Sequence, residues 1–361
     1  MRFSISRTTA AILRGSLAAI AFWAGLSVSA VGAETAKPVL LPVIKQEYPG
    51  KPKNIRLVHV PLMKLGDKEI GQPLLLDTGS SGMSIDCEFV LPKEMCSLDG
   101  IKIDQETSIN GIVVTTQKVE AHYGGSIHYG HLARAKVWLG DETASVSTEQ
   151  PISFMIRTKV VRRSDGQVVG GKLWPKGMLG ISPIGRVDVK GEITSPLNAV
   201  AVPEGLHKGY SIGDLGSDWA VCATEDHNCP SVPALAIGVD PKDREGWKFT
   251  LIKAAEERFN FPTVSACIVI GEEKPNCLPT LFDTGNSMIY VGGVEAKPLK
   301  NGKAVKVATL AEWAFKTRYV PEVAFEKGLP HHVIGLRFFE ENRLSIDLSV
   351  GLLGLRIVSG E

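Results

Sequence analysis

Two aspartates end apolar runs of the same kind. In "PLLLDTGSSGMSI", residues 73–85, three leucines lead into Asp77, Thr78 and Gly79; in "LPTLFDTGNSMIYV", residues 278–291, Leu281 and Phe282 lead into Asp283, Thr284 and Gly285. A carboxylate at the end of a buried strand is desolvated, which raises its pKa, and a second carboxylate close by raises one of the pair further. Such a pair holds one proton between its members and titrates as a unit. The ionised member can take a proton from water while the other protonates a carbonyl oxygen, a general acid–base attack on an amide with no covalent intermediate. Glycine after the threonine permits the tight turn that exposes the carboxylate. A single Asp-Thr-Gly reads as a turn or a capping aspartate. Two copies, each followed downstream by two apolar residues and a glycine ("KGMLGISP" around Gly180, "HHVIGLRFF" around Gly335), read as a dyad built by an internal repeat.

The elements that must hold such a dyad read as strands. Segments such as "IRLVHVPLMKLGDKEIGQPLLLD" and "GIVVTTQKVEAHYGGSIHYG" alternate β-branched or apolar residues with glycine-bearing turns, which predicts a mostly β chain. A hairpin is expected with Gly66 and Asp67 at its turn. The best helical windows are short, "SPLNAVAV" and "KVATLAEWAFKT". The expectation is an all-β fold with minor helices. At 361 residues the chain suits one large domain or two medium ones, and its net charge of +1 leaves no electrostatic footprint for nucleic acid. No phosphate loop, nucleophile elbow or dinucleotide fingerprint is present, and no cofactor is expected.

Residues 1–33 read as an export signal: Arg2, Arg7 and Arg14 precede an apolar stretch that ends in small residues at Ala33. A secreted or periplasmic protein with no stable membrane anchor after cleavage is expected. Residues 34–54, rich in proline and lysine, read as a mobile or edge-running arm. The six cysteines fall into close pairs, Cys87 with Cys96, Cys222 with Cys229, and Cys267 with Cys277. An even count in an exported chain favours disulfides, and nearest-neighbour pairing is expected although fifteen connectivities are formally open. Zinc is the rival, and these gaps lack the CxxC spacing of structural zinc sites.

The motifs together resemble the pepsin-like, two-lobed aspartic peptidases, with Asp77 and Asp283 matching the catalytic pair. "EAHYGGSIHYGHLARAKVWLGD" resembles the flap hairpin, with Tyr123 at the position of its tyrosine and Gly124, Gly125 and Ser126 at its tip. "MLGIS" and "VIGLRFFEENRLSIDLSVGLLGLRIV" resemble the segments that back each catalytic loop, and "CIVIGEEKPNCLPTLFDTG" the strand, disulfide loop and strand before the second motif. The resemblance implies an N-terminal lobe over 55–189, a C-terminal lobe over 190–361, a six-stranded interlobe platform and a cleft that takes an extended peptide or protein segment. It further implies that Thr78 and Thr284 bond across the lobes, that Ser80 is the hydroxyl neighbour of Asp77, and that Gly79 and Gly285 complete the turns. An aspartic endopeptidase, monomeric and metal-free, is the function implied.

The chain departs from that family at several positions. Ser84 stands where many members carry a tryptophan supporting the flap tyrosine, and the flap tip is one residue short. Asn286 replaces a small or hydroxyl residue, and Leu336 an aspartate common after the second apolar-apolar-glycine motif. Dipoles and charges changed around a coupled dyad shift its pKa values, so an acid optimum is not inherited. These departures motivate the alternative, a catalytically weak or inactive relative whose cleft binds peptides or proteins. His122, His128 and His131 on the flap hairpin suggest a metal at first sight, but read better as a solvated surface; His331 and His332, adjacent on a strand, make a poor chelating pair. The basic run "RTKVVRRSDGQVVGG" reads as an exposed hairpin that could favour acidic partners.

Overall fold

Asp77 closes the strand Lys68–Asp77, which pairs antiparallel with Ile55–Leu65 around the turn at Gly66 and Asp67. Gly66 has φ +55°, a conformation open to glycine at little cost, so the expected hairpin forms where the turn chemistry places it. Leu74, Leu75 and Leu76 are all buried, covered on both faces of the sheet. The computed structural model describes residues 36–48, 55–169, 175–183, 193–222, 229–254, 261–295, 304–309, 314–318 and 323–357. The expected export signal and residues 49–54 of the arm lie outside these.

The same three-strand arrangement occurs twice. Gly177–Ile181 lies between Lys68–Asp77, to which it runs parallel, and the returning strand Ser81–Asp86, to which it runs antiparallel. In the second copy His332–Ile334 lies between Asn276–Phe282, parallel, and Ile289–Gly292, antiparallel. Each apolar-apolar-glycine segment is thus wedged between the strand that leads to an aspartate and the strand that leaves it. Glycine is required there by close approach: a Cβ on Gly180 would lie 2.8 Å from the Ser80 backbone, and one on Gly335 2.3 Å from the Asn286 carbonyl.

Six antiparallel strands join these units, in the order Val39–Tyr48, Ser231–Val239, His207–Gly213, Asn342–Asp347, Leu352–Ile357 and Trp247–Leu251. They belong to an 18-stranded sheet that draws strands from both sides of residue 190, while a separate 8-stranded sheet holds the strands from Lys253 to Ile334. Val39–Tyr48 was expected to be mobile or at an edge; instead it pairs with Ser231–Val239 on one side and Ile55–Leu65 on the other. Its Lys45 is buried, and Nζ donates to the Leu215 carbonyl at 2.7 Å. On the platform Gly213 adopts φ +141°, where a Cβ would come 2.0 Å from the Asn342 carbonyl oxygen. Gly213→Ala is expected to cost about 2–4 kcal/mol, read as a lower urea midpoint at constant slope; an unchanged midpoint would contradict the close approach.

Helix is sparse among the described residues. The window "SPLNAVAV" supplies only the 3-10 turn Pro196–Asn198, capped by Ser195 Oγ accepting from Leu197 N. "KVATLAEWAFKT" is not a helix: Ala304–Thr309 and Ala314–Arg318 pair as an antiparallel hairpin. Alternation of buried Val305 and Val307 with exposed Lys306 suits a strand, and pairing with Pro262–Ile270 decides the matter. The three disulfides join Cys87 to Cys96, Cys222 to Cys229 and Cys267 to Cys277. No described helix is long and apolar enough to cross a membrane.

Candidate active site

The two Asp-Thr-Gly turns meet. Thr78 N donates to Thr284 Oγ1 at 3.1 Å and Thr284 N to Thr78 Oγ1 at 3.0 Å. Each hydroxyl in turn donates across to the strand before the other aspartate, Thr78 Oγ1 to the Phe282 carbonyl at 2.7 Å and Thr284 Oγ1 to the Leu76 carbonyl at 2.8 Å. Four bonds between fully buried groups therefore lock the turns face to face. An aliphatic isostere at either threonine would leave buried donors and acceptors without partners, at a cost of ~1–3 kcal/mol for each.

This lock brings the carboxylates together. A Cβ added to Gly79 would lie 2.8 Å from Asp283 Oδ1, and one added to Gly285 would lie 2.8 Å from Asp77 Cγ. Each carboxylate thus occupies the space that a side chain on the opposite turn would need. The turns also hold their own aspartates: Gly79 N donates to Asp77 Oδ1 at 2.8 Å and Gly285 N to Asp283 Oδ1 at 2.9 Å.

The pair is not symmetric. Ser80 Oγ donates to Asp77 Oδ2 at 2.6 Å. Asn286, the corresponding residue, turns its side-chain oxygen to the Met288 N–H at 2.9 Å and closes a local turn. Burial, then the Asp77 charge, then the hydrogen bond with Asp77 push the Asp283 carboxyl well above the usual carboxylate range, against the opposing pull of the Gly285 and Gly79 N–H groups. Asp77 thus accepts from a side-chain hydroxyl and an amide, whereas Asp283 holds its proton more tightly than an ordinary carboxyl.

Two tyrosines that the sequence did not single out face this charge. Tyr210, fully buried on the platform, donates its hydroxyl to the Ile181 carbonyl at 2.6 Å, and its phenol is raised by burial and by Asp77. Tyr290, half-buried, is raised by burial, Glu326 and Asp283. Neither lies in the Asp-Thr-Gly pattern, so only the packing reveals them. Leu336, in place of an aspartate, is buried in the core.

The hairpin Ile112–His122 and Ser126–Ala135 turns through Tyr123, whose N–H donates to the Ser126 carbonyl at 2.9 Å. Gly124 and Gly125 are exposed at its tip, whereas Ser126 is buried with Oγ 3.2 Å from His128 Nε2. Tyr123 packs against the buried cluster of Ala121, Leu132, Met155 and Ile193, and its ring lies 4.4 Å from that of His128, tilted by 45°. Met155 is the register partner of Ser84, so a thioether on the neighbouring strand fills the position beside the small serine. The solvated-surface reading of the hairpin histidines fails for two of them: His128 and His131 are buried, the latter accepting from Ile101 N at 3.2 Å, because the hairpin is covered by Ile152–Arg162 and Gly100–Ile101. His122 stays partly exposed, 2.8 Å from Arg163 Nη2. No metal-holding cluster of three residues occurs among the described residues.

No protein-family model matches the chain, and no curated protein matches it. Among solved structures it is similar to the aspartic proteinase from Irpex lacteus, with a TM-score of 0.55 and 15% identity over 84% of this chain and 94% of that one. At that identity the likeness concerns the fold: a β-rich architecture of two sheet systems resembling the pepsin-like aspartic proteinases.

Proposed function

We propose that the chain is an aspartic endopeptidase that binds an extended peptide or protein segment in a cleft between lobes spanning 55–189 and 190–361. The observation that carries this reading is the reciprocal approach of the two carboxylates, each within contact of the other turn's glycine and locked there by Thr78 and Thr284. Asp77, which accepts from Ser80 and Gly79, takes the proton of a water between the carboxylates. Asp283 protonates the amide oxygen, and the resulting diol collapses with proton delivery to the leaving nitrogen. Tyr123 closes over the peptide from the hairpin tip. Export of the mature chain to a secretory or periplasmic space is part of the same proposal.

Incubation with a diverse peptide pool in ¹⁸O-water between pH 3 and 8 tests it by mass spectrometry. New C-termini carrying one heavy oxygen are expected, and a statine-type transition-state mimic should abolish them. Absence of cleavage across that range rejects the peptidase. The use of the Asn286 oxygen on Met288 rather than on the dyad favours a second reading, a peptide-binding protein with little turnover; tight binding of the mimic without cleavage would select it.

A further inference from the structure

The strand that leaves the first aspartate turn, Ser81–Asp86, ends at a cavity of about 380 Å³. Arg157 lines it, contributed by the basic run that the dyad does not use. Its guanidinium is 98% buried: Nε donates to Asp86 Oδ1 at 2.5 Å, Nη2 to the Pro175 carbonyl at 2.5 Å, and Nη1 has no acceptor. Three lysines, Lys93, Lys159 and Lys176, also line the cavity against two carboxylates, Asp86 and Glu88. Both carboxylates are already engaged, Asp86 by Arg157 and Glu88 by Lys176 at 3.7 Å. Lys93 and Lys159 have no acidic partner among the described residues; Lys159 lies over the Tyr129 ring at 4.8 Å. The rim is apolar, with Leu98 and Val168 more than half exposed.

With Arg157 paired to Asp86 and Lys176 to Glu88, the ammonium groups of Lys93 and Lys159 leave the cavity with an excess of positive charge that an anion would balance. The walls ask that this anion carry apolar neighbours. We propose that the cavity takes the carboxylate of an acidic side chain flanked by apolar residues, on a polypeptide that docks here rather than at the dyad. A singly charged carboxylate would sit between Lys93 and Lys159, with the Asp86-paired guanidinium of Arg157 in the wall behind it.

Calorimetry on the full chain at low salt tests this with acetyl-Leu-Glu-Leu-Glu-Leu-amide and its glutamine counterpart, each titrated without and then with a statine-type mimic present. The acidic peptide is expected to bind at least tenfold more tightly than the neutral one. The charge reversal K93E/K159E should abolish the difference without changing the melting temperature, since neither lysine holds a structural ion pair. Equal affinity for the two peptides, or undiminished binding by K93E/K159E, overturns the proposal. So does loss of acidic-peptide binding when the mimic is added, which would place the peptide at the dyad. Binding of sodium butyrate but not of the peptide would also overturn it, assigning the cavity to free organic acids. None of these readouts depends on hydrolysis, so the cavity and the peptidase stand or fall separately.

Discussion

Asp77→Asn and Asp283→Asn are each expected to lower peptide hydrolysis about 1,000-fold or more, because each removes one half of a proton relay whose members act as a unit. The two variants should differ in stability. The Asp283 carboxyl is raised well above its unfolded value, so the native state holds its proton more tightly than the unfolded chain does. That contribution is complete below the unfolded pKa, drains as pH rises above it and is gone once pH passes the folded pKa. Asp283→Asn should therefore melt higher than wild type at neutral and alkaline pH, with the advantage vanishing in acid. Asp77→Asn replaces one of the two oxygens that accept from Ser80 and Gly79 by a donor and should show no such gain. Melting curves and peptide turnover measured on the same samples check this; parallel loss of stability and activity in Asp283→Asn would mark that residue as structural.

The second large effect lies away from the dyad. His59 is fully buried between Ile44 and Leu75 on neighbouring strands, and neither ring nitrogen has a partner among the described residues. Burial lowers its pKa to about 3. The unfolded chain then binds a proton that the folded chain refuses, so the stability contribution is complete above pH ~6.5 and drains as pH falls towards 3. The loss reaches on the order of 4 kcal/mol, and His331, lowered to about 4 by burial and by His332, acts in the same direction. His59→Leu should flatten the acid limb of a urea-midpoint profile between pH 3 and 8. A midpoint that falls in parallel with wild type would show that the ring finds a proton acceptor in the folded chain. A protein built this way is poorly suited to strong acid, whatever protonation state its dyad prefers.

The two aspartate turns were legible in the sequence because their signal is local: an apolar leader, an aspartate, a threonine and a glycine specify a strand and a turn without reference to the rest of the chain. The Gly66-Asp67 hairpin was legible for the same reason. The errors fell where a neighbour decides. Val305 and Val307 alternate with Lys306 as a strand requires, yet the run also fits a helix until Pro262–Ile270 is seen to pair with it. His128 and His131 belong to a polar-looking hairpin and are buried only because Ile152–Arg162 covers it. Lys45 lies in a basic segment, but its neighbouring strands enclose its stem and the Leu215 carbonyl receives its ammonium group. Tyr210 and Tyr290 carry no local signal, since their relation to the dyad exists only through the platform and the second three-strand unit.

The wedged strand has a kinetic consequence. Leu75 pairs with Met178 and Leu281 with Val333, so neither aspartate turn can be held until a distant segment threads between two strands that are already neighbours in sequence. Closing such loops costs entropy before any contact rewards it, and parallel non-local pairing is slow. On the ribosome, the first turn waits for Gly177–Ile181 and the second for His332–Ile334. The two carboxylates can therefore be brought into register only after both wedging strands, Gly177–Ile181 and His332–Ile334, have been made.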